Sequence, residues 1–217
     1  MNRRHFVGGV AALGVVAFVG GTFAYREAMA SAAREAAAEV NALLYRDHAP
    51  IIGPAEATVT ITEFFDPSCE ACRAFYPIVK QIMEMHQGKV RLVLRYAAFH
   101  EGSDEVVRIV EAARLQDRFV PVLEALLAEQ PNWAMHEGPD IERAWSIAGA
   151  AGLDLPRARV DAQSEAITAI LTQDTADVTA AGVQQTPTFY VNGKPLTEFG
   201  PQQLYDLVTS EVVAAGG

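Results

Sequence analysis

Phe64-Phe65-Asp66-Pro67-Ser68-Cys69-Glu70-Ala71-Cys72 contains the only two cysteines of the chain. They are spaced C-x-x-C, directly after an apolar stretch of strand character and at the opening of a helix-like one. That pattern is expected of a redox-active dithiol. Two intervening residues bring the thiols within bonding reach on the first helical turn. The N-terminus of the helix also offers backbone N–H groups and a positive dipole end to Cys69, which favours its thiolate. Because the thiolate is the nucleophile in disulfide exchange, Cys69 is expected to attack and Cys72 to resolve.

Two other uses of such a pair fit less well. Tetrahedral zinc wants four ligands, and the chain has no second cysteine pair. His48, His86, His100 and His136 are scattered rather than set at ligand spacing and read as surface residues. A purely structural disulfide closing so short a loop would remove little entropy from the unfolded chain. Neither a metal nor an organic cofactor is therefore expected.

Working outward, the strand before the motif is Thr58-Val59-Thr60-Ile61-Thr62-Glu63-Phe64-Phe65, which alternates and is rich in β-branched and aromatic residues. A helix is expected from Glu70 to about His86, with Pro77 as a kink, and a second apolar strand from Val90 to Tyr96. Two parallel strands bridged by a helix make a right-handed βαβ unit. The pattern then turns helical, opening with Ser103-Asp104-Glu105 as a capped start. Phe119, Val122, Leu123, Leu126 and Leu127 mark a second helix, Ile141 to Ala150 a third, and Leu155 to about Ala162 a short fourth. A fifth, carrying Ile167, Ile170, Leu171 and Val178, is stopped by Gly182. Two extended runs, Thr188 to Val191 and Lys194 to Leu196, flank Asn192-Gly193, a strong hairpin signal. A last helix starts at Pro201. The sum is an α/β fold in which βαβ and ββα halves build one sheet, with a helical insertion at about residues 101–182.

The N-terminal end reads differently. Arg3 and Arg4 precede a charge-free run from Val7 to Ala24, an export signal by pattern, and Arg3-Arg4-x-Phe6 resembles the twin-arginine signal. Residues 1–30 are thus expected to be a signal peptide or membrane anchor, with residues 6–24 long enough for membrane anchoring. An Ala-rich helical spacer follows at 31–50, ended by Pro50 and Gly53-Pro54. Half of the residues are hydrophobic, enough for a sizeable core. The formal charge is −10; without Arg3, Arg4, Arg26 and Glu27 it is −12, from 14 basic and 26 acidic residues. Such a body should not seek nucleic acid or anionic lipid through bulk electrostatics.

From about residue 50 to 215 the chain resembles the DsbA-type branch of the thioredoxin family. The resemblance rests on the C-x-x-C after a strand, the length of the helical insertion, and Thr186-Pro187-Thr188 ahead of a strand. It implies a thioredoxin fold over 51–215 with Pro187 cis beside the dithiol and the backbone of Thr186 exposed for an extended substrate to pair with. Phe64, Phe65 and Phe99 are candidates for nearby apolar surface, although core packing suits each better. Glu63, six positions before Cys69, matches a buried acid that the family keeps beneath the dithiol, where it would exchange a proton with Cys72. Arg95 matches a basic residue placed beside that acid; a structural ion pair is the competing role. Glu70-Ala71 departs from the C-P-H-C of the strongly oxidising members. A carboxylate next to Cys69 is expected to disfavour its thiolate and weaken the disulfide as an oxidant.

The resemblance implies a thiol–disulfide oxidoreductase acting on exported proteins, with a membrane redox partner recycling the dithiol; the N-terminal segment, cleaved or kept as an anchor, is expected to make the rest of the chain periplasmic or otherwise extracytoplasmic. Oxidation, reduction and isomerisation all remain open. The alternative is a peptide-binding or chaperone module of the same fold without redox turnover.

Overall fold

The structure, a computed structural model, describes residues 22–216 except 33, 36, 37, 136 and 137. Most of the expected export or anchor segment, up to residue 21, lies outside these, as does His136. Among the described residues no helix is long and apolar enough to cross a membrane. Two units are separated at Ala42. In the first, residues 22–32, 34–35 and 38–42 are helical and mostly exposed, as an Ala-rich segment without an apolar stripe allows.

The second unit holds a five-stranded sheet: β1 (Ile51–Ile52), β2 (Val59–Phe65), β3 (Val90–Tyr96), β4 (Thr188–Val191) and β5 (Lys194–Pro195). Its order is β1-β3-β2-β4-β5, with β2 and β3 parallel and the other pairs antiparallel. Helix α1 (Glu70–Met85) bridges β2 and β3. The insertion contributes α2 (Ser103–Arg114), α3 (Phe119–Ala128), α4 (Ile141–Ala150), α5 (Leu155–Asp161) and α6 (Glu165–Ala180), and α7 (Pro201–Ala214) closes the chain. The expected βαβ, helical block and ββα are all present. The short edge strand β1 was not foreseen, because Pro50 and Gly53 flank only two residues and read as a boundary. Pro77 lies within the unbroken span of α1.

Every residue of β2 is buried, polar ones included. A central strand flanked by β3 and β4 is covered on both sides. Val59, Ile61 and Phe65 join Phe75, Val79 and Ile82 of α1 and Leu204, Val208 and Val212 of α7 in the main core. Phe64 on the opposite face packs with Leu44, Ala97, Val178 and Val183. The insertion is continuous with the main core through Val106, Leu123 and the fully buried Trp133, whose indole N–H donates to the Leu126 carbonyl at 2.8 Å. In the β4–β5 turn, Asn192 and Gly193 both take positive φ, 48° and 81°, as a two-residue hairpin of this twist requires.

The helix start expected at Ser103 is built otherwise. Gly102, with φ 71°, occupies the capping position, and no side chain caps the helix. Ser103 is turned inward, toward the dithiol.

Candidate active site

The turn Asp66-Pro67-Ser68 carries the chain from β2 into α1. The Ser68 N–H donates to Asp66 Oδ1 at 2.8 Å, and the Cys69 N–H to the Asp66 carbonyl at 3.1 Å. Cys69 is thereby left extended at the capping position of α1, φ −74° and ψ 122°, its sulfur at the N-terminal end of the helix. The insertion reaches back to hold the same turn. Gln130 Nε2 donates to the carbonyls of Pro67 (2.7 Å) and Cys69 (3.0 Å).

The two thiols differ in environment. Cys69 lies beside the cis Thr186–Pro187 peptide, its sulfur 3.3 Å from the Thr186 carbonyl. Its pKa is lowered to about 5, first by the hydrogen bond from Cys72, against burial, with help from the Thr186 side chain and the N–H groups of Cys72 and Ala71. The thiol–carbonyl bond favours the neutral form, so the donors outweigh it. Cys72 is fully buried, and burial, the bond to Cys69 and the Glu63 charge push its pKa up. The Asp66 N–H points at its sulfur at 3.5 Å. One thiol is thus poised as thiolate and the other kept protonated.

Glu70 is exposed in the first turn of α1, and the helix-end donors and Cys72 bring the Cys69 thiol down despite it. Ala71 contributes its backbone N–H.

Glu63 is completely buried, and neither carboxyl oxygen has a hydrogen-bond partner. Burial raises its pKa to about 8; the neighbouring Cys72 thiol partly offsets this, and the Cys69 charge adds to it. Arg95 does not lie beside it. Glu63 is opposite Leu94 in the ladder and Arg95 opposite Phe64, so the two side chains leave opposite faces of the sheet. Arg95 instead forms a buried ion pair with Asp174 and Asp177, 2.6 Å from each, and donates to the Leu43 carbonyl. The structural ion pair is its observed role.

Phe64 and Phe65 are fully buried, as core packing required, while Phe99 is half-exposed. Beside β4, the Phe75 ring lies tilted between Phe189 (5.5 Å) and the half-exposed Phe199 (4.5 Å).

Sequence reasoning missed a polar cluster around Asp66. This fully buried carboxylate accepts from the N–H groups of Ser68, Phe99 (2.8 Å) and His100 (3.0 Å), from His100 Nδ1 (2.8 Å) and from the Ser103 hydroxyl. Ser103 and Ser68 also share a hydroxyl–hydroxyl bond of 2.6 Å. Asp66 three residues before the first cysteine was the one available signal; its partners other than Ser68 come from 33 to 37 residues away.

This fold and this dithiol define a class, and the comparisons agree. A thioredoxin family model matches residues 45–208. The chain belongs to the thioredoxin family, in its DsbA-type branch. A crystal structure of a thioredoxin-like oxidoreductase from Silicibacter pomeroyi DSS-3 superposes with a TM-score of 0.67 at 32% identity, over 77% of this chain and 94% of that one. Disulfide bond formation protein D of Bacillus subtilis is 25% identical over 170 residues, covering 69% of this chain and 70% of that protein. The Na(+)/H(+) antiporter NhaA of Herminiimonas arsenicoxydans is 31% identical over 152 residues. This chain spans only about a quarter of the antiporter's length, 23%, and 69% of its own length is matched.

Proposed function

We propose that this chain exchanges disulfides with other exported proteins outside the cytoplasm, using Cys69 as the attacking and Cys72 as the resolving sulfur. The observation that carries this is the asymmetry of the pair: a Cys69 thiol lowered to about 5 at the helix start, against a Cys72 sealed over Glu63. In the oxidised form a substrate thiolate attacks Cys69 Sγ and the Cys69–Cys72 bond breaks. Cys72 leaves with the electron pair and takes up a proton, for which Glu63 is the adjacent acid. The second substrate thiolate then displaces Cys69, so the substrate dithiol loses two electrons and the enzyme disulfide gains them. The reverse sequence reduces a substrate disulfide.

Thr186 and Pro187 form the substrate-binding side, where the Thr186 backbone meets an extended peptide as an added strand. Stabilising the Cys69 thiolate stabilises the reduced protein and therefore makes the disulfide more oxidising. A thiol of about 5 falls between the values of roughly 7 for thioredoxin and roughly 3.5 for the strong oxidant of the family. The reduction potential is accordingly expected between about −270 and −120 mV. The name of the Bacillus relative and the basic, apolar start of the chain support the extracytoplasmic setting. A membrane redox partner would recycle the dithiol.

Equilibration of the protein against glutathione buffers tests the reading. A reversible two-electron transition in that window supports it. Absence of reversible exchange would leave the peptide-binding module, whose activity Cys69→Ser would spare.

A further inference from the structure

The cleft in front of the dithiol, about 290 Å³, is lined by Ser68, Cys69 and Glu70 on one side and by His100, Met135 and Pro139 on the other. His100 is built into this wall rather than left free on the surface. Asp66 binds its Nδ1 and its backbone N–H and the N–H of Phe99, which pins the loop after β3 to the turn that carries Cys69. With Nδ1 committed to a buried carboxylate, the ring keeps Nε2 for the cleft, where the side chain is half-exposed. The charged groups facing it are Asp66 from the end of β2, Cys69 and Glu70 from the start of α1, and Glu101 from its own loop. From α2 the neighbour of Asp66 is the neutral Ser103, and Met135, Gly138 and Pro139 opposite are uncharged. Among the described residues, the imidazole thus sits among anions and no cation.

We propose that His100, held by Asp66, is a positioning residue whose imidazolium stabilises the Cys69 thiolate across the cleft and so binds its proton more tightly in the reduced protein than in the oxidised one. The inference rests on the redox reading only in taking Cys69 as the nucleophile. Its physical content is reciprocity: if the imidazolium favours the thiolate, the thiolate must favour the imidazolium equally. Partial burial works against the charged ring, but the Asp66 bond and charge, with Cys69 and Glu70, leave its pKa raised. Forming the Cys69–Cys72 disulfide removes one of those anions. Oxidation therefore releases part of a proton from His100 near neutral pH, and the dithiol is tied to the pH of its surroundings. The Glu70 carboxylate, which sequence reasoning set against the Cys69 thiolate, is countered by this charge from a different part of the chain.

The test is an NMR titration of the histidine ring protons in the full protein, reduced with excess dithiothreitol and then oxidised with glutathione disulfide. The His100 midpoint is expected to fall by about one pH unit on oxidation, a tenfold change in proton affinity. His86, bonded to Thr209, serves as the unmoved control. In parallel, thiolate absorbance at varied pH should place the Cys69 midpoint about one unit higher in His100→Gln, whereas His100→Lys, a fixed cation, keeps it low. His100 is half-exposed, so both variants are expected to fold. Equal His100 midpoints in the two redox states, or an unmoved Cys69 midpoint in His100→Gln, overturn the proposal. Neither measurement needs a client protein. Failure of exchange with substrates would instead count against the proposed function and leave this coupling standing.

Discussion

Replacing Glu63 by glutamine removes a titration that works against the fold. A glutamate in the unfolded chain releases its proton near pH 4.5, whereas Glu63 in the native protein holds its own up to about 8. Between these values the native state carries a proton that the unfolded state has lost, so stability falls as pH rises. At about 1.4 kcal/mol per pH unit, the full interval corresponds to about 5 kcal/mol, of which about 3–4 accrues between pH 5 and pH 8. That is a large share of the roughly 5–15 kcal/mol by which a domain is stable. The buried amide introduced by Glu63→Gln would itself lack partners, a cost of about 1–3 kcal/mol, but one that does not change with pH. The Cys69 titration runs the opposite way, adding stability as pH rises above 5, and is common to both proteins. Urea unfolding of parent and Glu63→Gln, both reduced, at pH 5, 6.5 and 8 isolates the difference. The variant should gain on the parent by several kcal/mol over this range. A difference that stays constant with pH would refute the buried, proton-holding Glu63.

Glu63→Gln should also slow the resolving step at Cys72 in stopped-flow exchange with a small disulfide, and an unchanged rate would remove Glu63 from the mechanism. Cys72→Ser leaves the attacker without its resolver, so incubation with glutathione disulfide should trap a mixed disulfide on Cys69, visible as a mass increase; no adduct would contradict the assignment of Cys69. Arg95→Met strands Asp174 and Asp177 in the interior and should destabilise by about 3–5 kcal/mol, yet leave the alkylation rate of Cys69 unaltered, since Arg95 is on the far face of the sheet. In the same cluster burial raises the Asp177 carboxyl, but the bonds from Arg46 and Arg95 bring it down to about 2, so stability should decline as acid titration falls from pH 3.8 toward 2. Gly102→Ala forces a Cβ to within 2.5 Å of Pro139 at φ 71° and should lower stability by about 1–3 kcal/mol in thermal melts; an unchanged melt would mean the turn is not held there.

Cys69, Cys72 and Glu63 were legible because their signals are local. The C-x-x-C spacing and the strand before it fall within one stretch of 14 residues, and alternation along β2 already put Glu63 on the face of Val59 and Phe65. Arg95 was set beside the acid by the family resemblance alone, and the register between β2 and β3, which is not written in either strand alone, turns it to the other face. Ser103 was read as a cap from its residue type. Gly102 took that position because the approach of Pro139 and Ile141 leaves no room for a side chain.

What the sequence determined by itself is the order of the main elements and the seating of the thiol pair at a helix start. Hydrophobic period, turn residues and the placement of two thiols at a helix start are properties of neighbours along the chain. The electrostatic setting was decided only by tertiary structure. Asp66 meets His100 and Ser103, Gln130 meets the carbonyl of Cys69, and Arg95 meets Asp174 and Asp177, each across 34 to 82 residues of chain. The charge a thiol feels depends on distance through space and on water excluded, and the fold alone sets both.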